Sequence, residues 1–154
     1  MAATIDRAKR KVMLALSFAS VALIYSLMLL GVYVTTSHQG LSCPDWPLCP
    51  NGFGIPAEKY LFEQIHRLVA VIAAATVGTT AAYAIKNVKN VSKTAIIAAA
   101  VISIQIGLGA LIVFTKLNAL IVATHLSTGV LLLAMALVTL LSAYRIRPEV
   151  KPAQ

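Results

Sequence analysis

Three stretches of the sequence, residues 12–34, 94–115 and 117–144, run without one charged side chain. Each exceeds the roughly 20 apolar residues that a helix needs to cross the hydrocarbon of a bilayer. In hydrocarbon every backbone N–H and C=O must find its partner within the protein, so only helices and closed barrels span it. Apolar windows of this length select the helix. A fourth window, residues 61–85, is interrupted near its start by Glu63, His66 and Arg67. Of the 154 residues, 59% are hydrophobic and 12% charged, about half the charge of an ordinary soluble domain. The expected architecture is therefore all-α: an integral membrane four-helix bundle running up-down-up-down as a single transmembrane domain over residues 1–154. The helices are expected at about 10–36, 60–85, 94–115 and 118–144. No internal repeat stands out.

The formal charge of +8 does not point to nucleic acid, because the basic residues neither line one face nor alternate with aromatics as such a surface requires. They sort by membrane side. Arg7, Lys9, Arg10 and Lys11 precede the first span, Lys86, Lys89 and Lys93 lie between the second and third, and Arg145, Arg147 and Lys151 follow the fourth, ten of the 13 in all. Positive charge marks the cytoplasmic side, so both termini are expected there. The first apolar run is longer than a signal-peptide core and ends in no small-x-small cleavage pattern, so it is expected to remain as an anchor.

The connection between the third and fourth spans is little more than "TKLN", which makes those helices antiparallel neighbours. The outer segment at 37–59 is different in kind. It holds both cysteines, the only tryptophan and four of the 6 prolines, many of them within "CPDWPLC". On an oxidising outer face Cys43 and Cys49 read as a structural disulfide that clips the loop. A short strained bridge that cycles with turnover is the other reading. Trp46 suits the membrane interface, and His38 is expected to be solvated.

His66 and His125 carry the chemistry. The second and fourth helices both enter from the outer side, and the two histidines lie at similar distances from their starts, roughly 8 to 11 Å deep at 1.5 Å per residue. In an up-down-up-down bundle these helices are diagonal, so side chains at one depth can face each other across the core. Two neutral imidazoles converging in apolar surroundings are what an axially ligated haem requires. For each histidine alone, an interhelical hydrogen bond is the alternative. Glu63 shares a face with His66 and stands four residues before Arg67. That spacing suits a simple ion pair as well as a carboxylate working at a haem edge, and Arg67 equally suits a haem propionate. Gln105 is expected to bond another helix, and Gly107 and Gly109 to permit close helix contact. Thr124, Ser127 and Thr128 either orient the His125 ring or bond their own helix.

"GLSCPDWPLC", "EQIHRLVA", "QIGLGA" and "ATHLSTGVLL", in this order, resemble haem A synthase, across nearly the whole chain from Gly31 to about Leu133. The resemblance implies a membrane oxidoreductase that converts a methyl group of haem O to the formyl group of haem A for terminal oxidases, with haem b as electron-carrying cofactor. It implies His66 and His125, the latter in a His-Leu pair with Leu126, as ligands to haem iron, Glu63 as the catalytic carboxylate, Arg67 as a haem contact, and Cys43 and Cys49 as the outer-loop pair. Typical members have eight helices in two similar halves with four ligand histidines, whereas this sequence matches one half. A homo-oligomer is thus expected, in a prokaryotic cell membrane with the cysteine loop extracytoplasmic, alongside membrane lipid and a haem O synthase as partners. Where many relatives place an arginine after the first helix's closing glycine, Thr35 stands here. The rival is a bis-histidine b-type cytochrome that carries electrons and leaves its haem unchanged. A thiol-oxidising protein working through Cys43 and Cys49 lacks the second cysteine pair such relays use.

Overall fold

The computed structural model describes residues 4–50, 52 and 58–149. Four long helices dominate it: α1 at Arg7–Thr36, α2 at Leu61–Asn87, α3 at Lys89–Phe114 and α4 at Ala119–Arg145. All four are long and apolar enough to cross a membrane. Lys151 and the loop positions 51 and 53–57 lie outside the described residues.

The helix boundaries differ from the sequence expectation at the charged ends. α1 begins at Arg7, where the Asp6 carboxylate caps the N-terminus by accepting from the N–H groups of Ala8 (2.9 Å) and Lys9 (3.1 Å). α3 begins at Lys89 instead of 94, so the expected basic connection "KNVKNVSK" is almost entirely helical, with only Val88 between α2 and α3. The apolar window measures the hydrocarbon-spanning part of a helix, not its length. "KNVKNVSK" holds no proline or glycine to stop either helix, and its lysines favour the helical state. At the opposite end α3 reverses into α4 within residues 115–118, where Lys116 (φ 50°) and Leu117 (φ 62°) both adopt left-handed backbone. Asn118 then caps α4.

Each helix packs on two neighbours, in the cycle α1, α2, α3, α4 and back to α1, which leaves α2 diagonal to α4. At the lysine-rich end the termini are tied together. A two-residue strand β1 at Thr4–Ile5 pairs in parallel with β2 at Arg147–Pro148, and Arg10 donates to the carbonyls of Ile146 (2.7 Å) and Tyr144 (2.9 Å).

The bundle contains a repeat that is not apparent from the sequence. One constant step along the chain carries the buried Met13, Ser17, Ser20 and Ile24 of α1 onto the buried Val91, Ala95, Ala98 and Ile102 of α3. A second constant step carries Ala73, Val77, Thr80 and Ala84 of α2 onto Leu132, Ala136, Thr139 and Ala143 of α4. The α1–α2 and α3–α4 hairpins therefore face each other as two copies of one packing pattern. A cavity of about 10 Å³ is lined by four such pairs: Ser17 and Ala95, Ser20 and Ala98, Val77 and Ala136, Thr80 and Thr139. Few of the paired residues are identical, and every helix is apolar all round, so periodicity carries little signal; small residues that let backbones approach do the packing instead.

This packed layer fills the inner and middle parts of the bundle and then stops. Toward the other end no side chain is buried in 25–33 of α1, 65–72 of α2, 103–114 of α3 or 119–128 of α4. Burial resumes only at Val34, Glu63, Gln64 and the loop cysteines.

Candidate haem site beneath a disulfide cap

The loop after α1 folds over the first turns of α2. Cys43 and Cys49 are joined in a disulfide and buried, at 0% and 3% exposure. Glu63, 5% exposed, holds this loop from below: its Oε2 accepts from the Ser42 hydroxyl (2.8 Å) and the Cys43 backbone N–H (2.9 Å). The Arg67 guanidinium bonds the Glu63 Oε1 (2.5 Å) and donates to the carbonyls of Asp45 (2.6 Å), Pro47 (3.2 Å) and Cys43 (3.3 Å). One turn of α2 thus sends an acceptor and a donor into the same loop, which satisfies its carbonyls and its first N–H group. The loop also leans on the α3–α4 turn, where Gly40 packs against Leu117. Trp46 and His38 are exposed.

His66 and His125 lie beneath this cap at the level where the helices have no buried layer. Each ring stands against a glycine of the neighbouring helix. A Cβ on Gly31 would come within 3.1 Å of His66 Cε1, and one on Gly109 within 3.8 Å of His125 Cε1. Gly31 and Gly109 are related by the same chain step that relates α1 to α3, as His66 and His125 are by the step from α2 to α4. Among the described residues, Nδ1 of both imidazoles is buried and has no hydrogen-bond partner. The two rings are within electrostatic reach of each other, and His66 also of Glu63 and Arg67.

The pairing of Glu63 with Arg67 expected from the i, i+4 spacing is present, and Gln105 does bond another helix: its Nε2 donates to the His125 carbonyl (3.0 Å). Thr124 and Ser127 donate to their own helix, at Leu120 and Ala123, whereas the Thr128 hydroxyl also reaches Gln105 Oε1 (2.9 Å). Gly109 backs His125, and Gly107 meets nothing. Sequence reasoning did not find Ser42 or the glycines Gly31 and Gly129. Ser42 adjoins Cys43 in an already suspect loop, but the two glycines gain meaning only once the neighbouring helix is in place.

Residues 54–154 match the family model for COX15-CtaA, described as cytochrome oxidase assembly protein. The chain belongs to this family. A heme A synthase from Oceanobacillus iheyensis is 33% identical over 129 residues, covering 79% of this chain and 40% of that protein. One from Geobacillus kaustophilus is 30% identical over 105 residues, 66% of this chain and 33% of that protein. A protoheme IX farnesyltransferase from Haloarcula marismortui is 32% identical over 108 residues, 69% of this chain and 23% of that protein. The chain thus spans between a third and two fifths of the length of these two heme A synthases.

Proposed function

We propose that this chain performs the haem A synthase reaction, oxidising a methyl group of haem O to the formyl group of haem A for terminal oxidase assembly. One observation carries the reading: two imidazoles on diagonal helices, each backed by a glycine of the neighbouring helix, at a level where, among the described residues, the bundle buries no side chains. An intramembrane ionisable side chain marks function by default. A metalloporphyrin held through both rings accounts for the pair and for the packing around it. The resemblance to heme A synthases supports the same choice.

In this reading His66 and His125 hold haem iron, and Gly31 and Gly109 let the rings stand close to α1 and α3. Bound haem b supplies one-electron transfer. Written with water as the oxygen source, conversion of a methyl to a formyl group (–CH3 + H2O → –CHO + 4 H+ + 4 e−) needs an external electron acceptor, reached through haem b, and a proton acceptor beside the macrocycle. Glu63 is the only buried carboxylate among the described residues. Its hydrogen bonds from Ser42, Cys43 and Arg67 fix its position. Arg67 spends its bonds on Glu63 and the loop, so a haem propionate would have to take one of them over. We assign Arg67 the cap first and the haem edge through it. The disulfide between Cys43 and Cys49 keeps the loop closed over the site.

The described residues hold one such histidine pair, and we propose a homo-oligomer in which a second copy holds a separate electron-carrying haem. We place the protein in the cell membrane of a prokaryote, with the disulfide loop on the extracytoplasmic side opposite the lysine-rich end, receiving haem O from a haem O synthase.

A bis-histidine b-type cytochrome remains the second reading, favoured by the full engagement of both Glu63 oxygens with the cap. Incubation of the purified protein with haem O and an electron acceptor, followed by mass spectrometry of the extracted pigment, separates the two. The synthase yields hydroxylated and formyl products; an electron carrier returns haem O unchanged, and that result would sink the proposal.

A further inference from the structure

The two hairpins hold their histidines by different means, and the difference points to a residue set with no assigned role. On α2, Glu63 and Arg67 tie the helix to the cap one turn from His66. On α4 the corresponding positions are Val122 and Leu126, and no side chain above His125 fastens it to anything outside its own helix among the described residues. Instead there is a fastening below it. Gln105 of α3 donates from Nε2 to the His125 carbonyl (3.0 Å), and its Oε1 lies 2.9 Å from the Thr128 hydroxyl. The Thr128 hydroxyl shares its one proton between Gln105 Oε1 and the Thr124 carbonyl (2.8 Å), so both ends of the amide find partners between two helices when it turns to Gln105. Gly129 makes this possible: a Cβ there would stand 2.8 Å from Gln105 Nε2, closer than real contacts allow.

The other hairpin supplies an internal control. The positions equivalent to Gln105, Thr128 and Gly129 are Leu27, Val69 and Ala70. Where the amide is present, the facing residue is glycine and its partner carries a hydroxyl. Where leucine takes its place, the facing residue gains a methyl group and the partner is an isosteric valine. The three differences are matched in size and polarity, as a built hydrogen-bonded unit requires. Its target is the backbone of His125 itself, so it fixes how deep His125 sits and which way its ring is delivered.

We infer that Gln105, seated by Gly129 and Thr128, is the positioning element for His125, replacing on α4 the anchorage that the cap gives to α2. The inference rests on His66 and His125 both binding haem iron. Without this bond α4 is free to shift along α3, and the His125–iron bond weakens while the His66–iron bond does not.

The test is a double variant, Gln105→Leu with Gly129→Ala, which gives α3–α4 the residue pair that α1–α2 already carries and so preserves packing. Haem stoichiometry should stay at the wild-type value. Carbon monoxide, which must displace a histidine from ferrous iron, should bind about three- to tenfold more tightly, the effect expected from losing one net hydrogen bond. The largest g value of the ferric low-spin spectrum should move, since it reports imidazole orientation. Wild-type carbon monoxide affinity and an unmoved g value in the fully loaded double variant would overturn the inference while leaving haem ligation intact. A wild-type protein with no bis-imidazole low-spin signal would sink the ligand assignment and this inference with it. Should the double variant load less haem, the isosteric Thr128→Val decides: its carbon monoxide affinity must rise in the same direction, and an unchanged value overturns the proposal.

Discussion

The α1–α2 and α3–α4 hairpins bury side chains at equivalent positions, and each sets a histidine against a glycine of its partner helix. Beyond that they diverge. The first hairpin carries a buried carboxylate, an arginine and a disulfide-closed loop at the end away from the lysines. The second carries Val122 and Leu126 at the matching positions and a tight turn at 115–118. A symmetric scaffold can thus offer a planar, nearly symmetric ligand two equivalent axial donors, while asymmetric decoration presents reactive groups to one edge only. In the proposed reaction, selection of one methyl group among several similar ones would use that asymmetry.

The strongest way to break the comparison is to remove the shared feature. If both histidines ligate haem iron as proposed, His66→Ala and His125→Ala should each abolish the six-coordinate spectrum and lower bound haem severely, because each would remove one of two donors. Pyridine haemochrome and ferric low-spin spectra of the two variants measure this. A variant of either histidine that keeps the bis-imidazole spectrum would show that the hairpins are not equivalent in ligation.

The next test removes what is not shared. Glu63→Gln keeps the shape and the bonds from Ser42 and Cys43 in altered form but cannot take up a proton. If Glu63 is the proton acceptor, turnover of haem O should fall by about 10² to 10⁴, the usual range for general acid–base groups, with haem content near normal. Undiminished turnover at normal haem content would return Glu63 to a purely structural place in the cap. Val122→Ala, at the equivalent position, should leave turnover within about twofold of wild type, since a surface or half-buried change away from special features costs little.

The sequence disclosed the four spans, the outer loop and the depth-matched histidines because each rests on a local signal: charge-free windows, clustered cysteine and proline, and a count of residues from a helix start. It concealed the repeat and the elements that depend on it. In lipid a helix needs no polar face, so the buried stripe of α3 at Val91, Ala95, Ala98 and Ile102 looks like the rest of the helix. Gly31 and Gly129 are likewise unremarkable until His66 and Gln105 stand opposite them. The helical "KNVKNVSK" segment was hidden for a simpler reason, since hydropathy marks where the membrane ends and not where the backbone stops coiling.

The loop offers a test of intermediate size. Replacing Cys43 and Cys49 together by serine reopens a short loop, and chain-entropy arguments put the loss at about 2 kcal/mol. The loss should be confined to the cap: amide hydrogen exchange should rise across residues 41–49 and at the start of α2, with α3 and α4 unchanged. Exchange rising equally in both hairpins would show that the cap supports the whole bundle and not only its first half.

The smallest predicted effect lies at the axis between the hairpins. Thr80 and Thr139 are equivalent, both are 3% exposed, and each hydroxyl donates to the carbonyl one turn back, at Thr76 and Met135 (2.8 Å in both). Only Thr80 has a second partner, the Ser20 hydroxyl at 3.0 Å, because the residue equivalent to Ser20 is Ala98. Thr→Val preserves volume at both sites and removes the hydroxyl. Interhelical hydrogen bonds in membrane bundles contribute about 0.6 kcal/mol on average, so Thr80→Val should destabilise the protein by about that much more than Thr139→Val in reversible unfolding from detergent. Ser20→Ala should remove the difference between them, since it makes the first hairpin match the second at this layer. A difference that survived Ser20→Ala would have to come from the backbone bond or from packing around the small cavity, and the two threonines would then be unequal for a reason other than their partners.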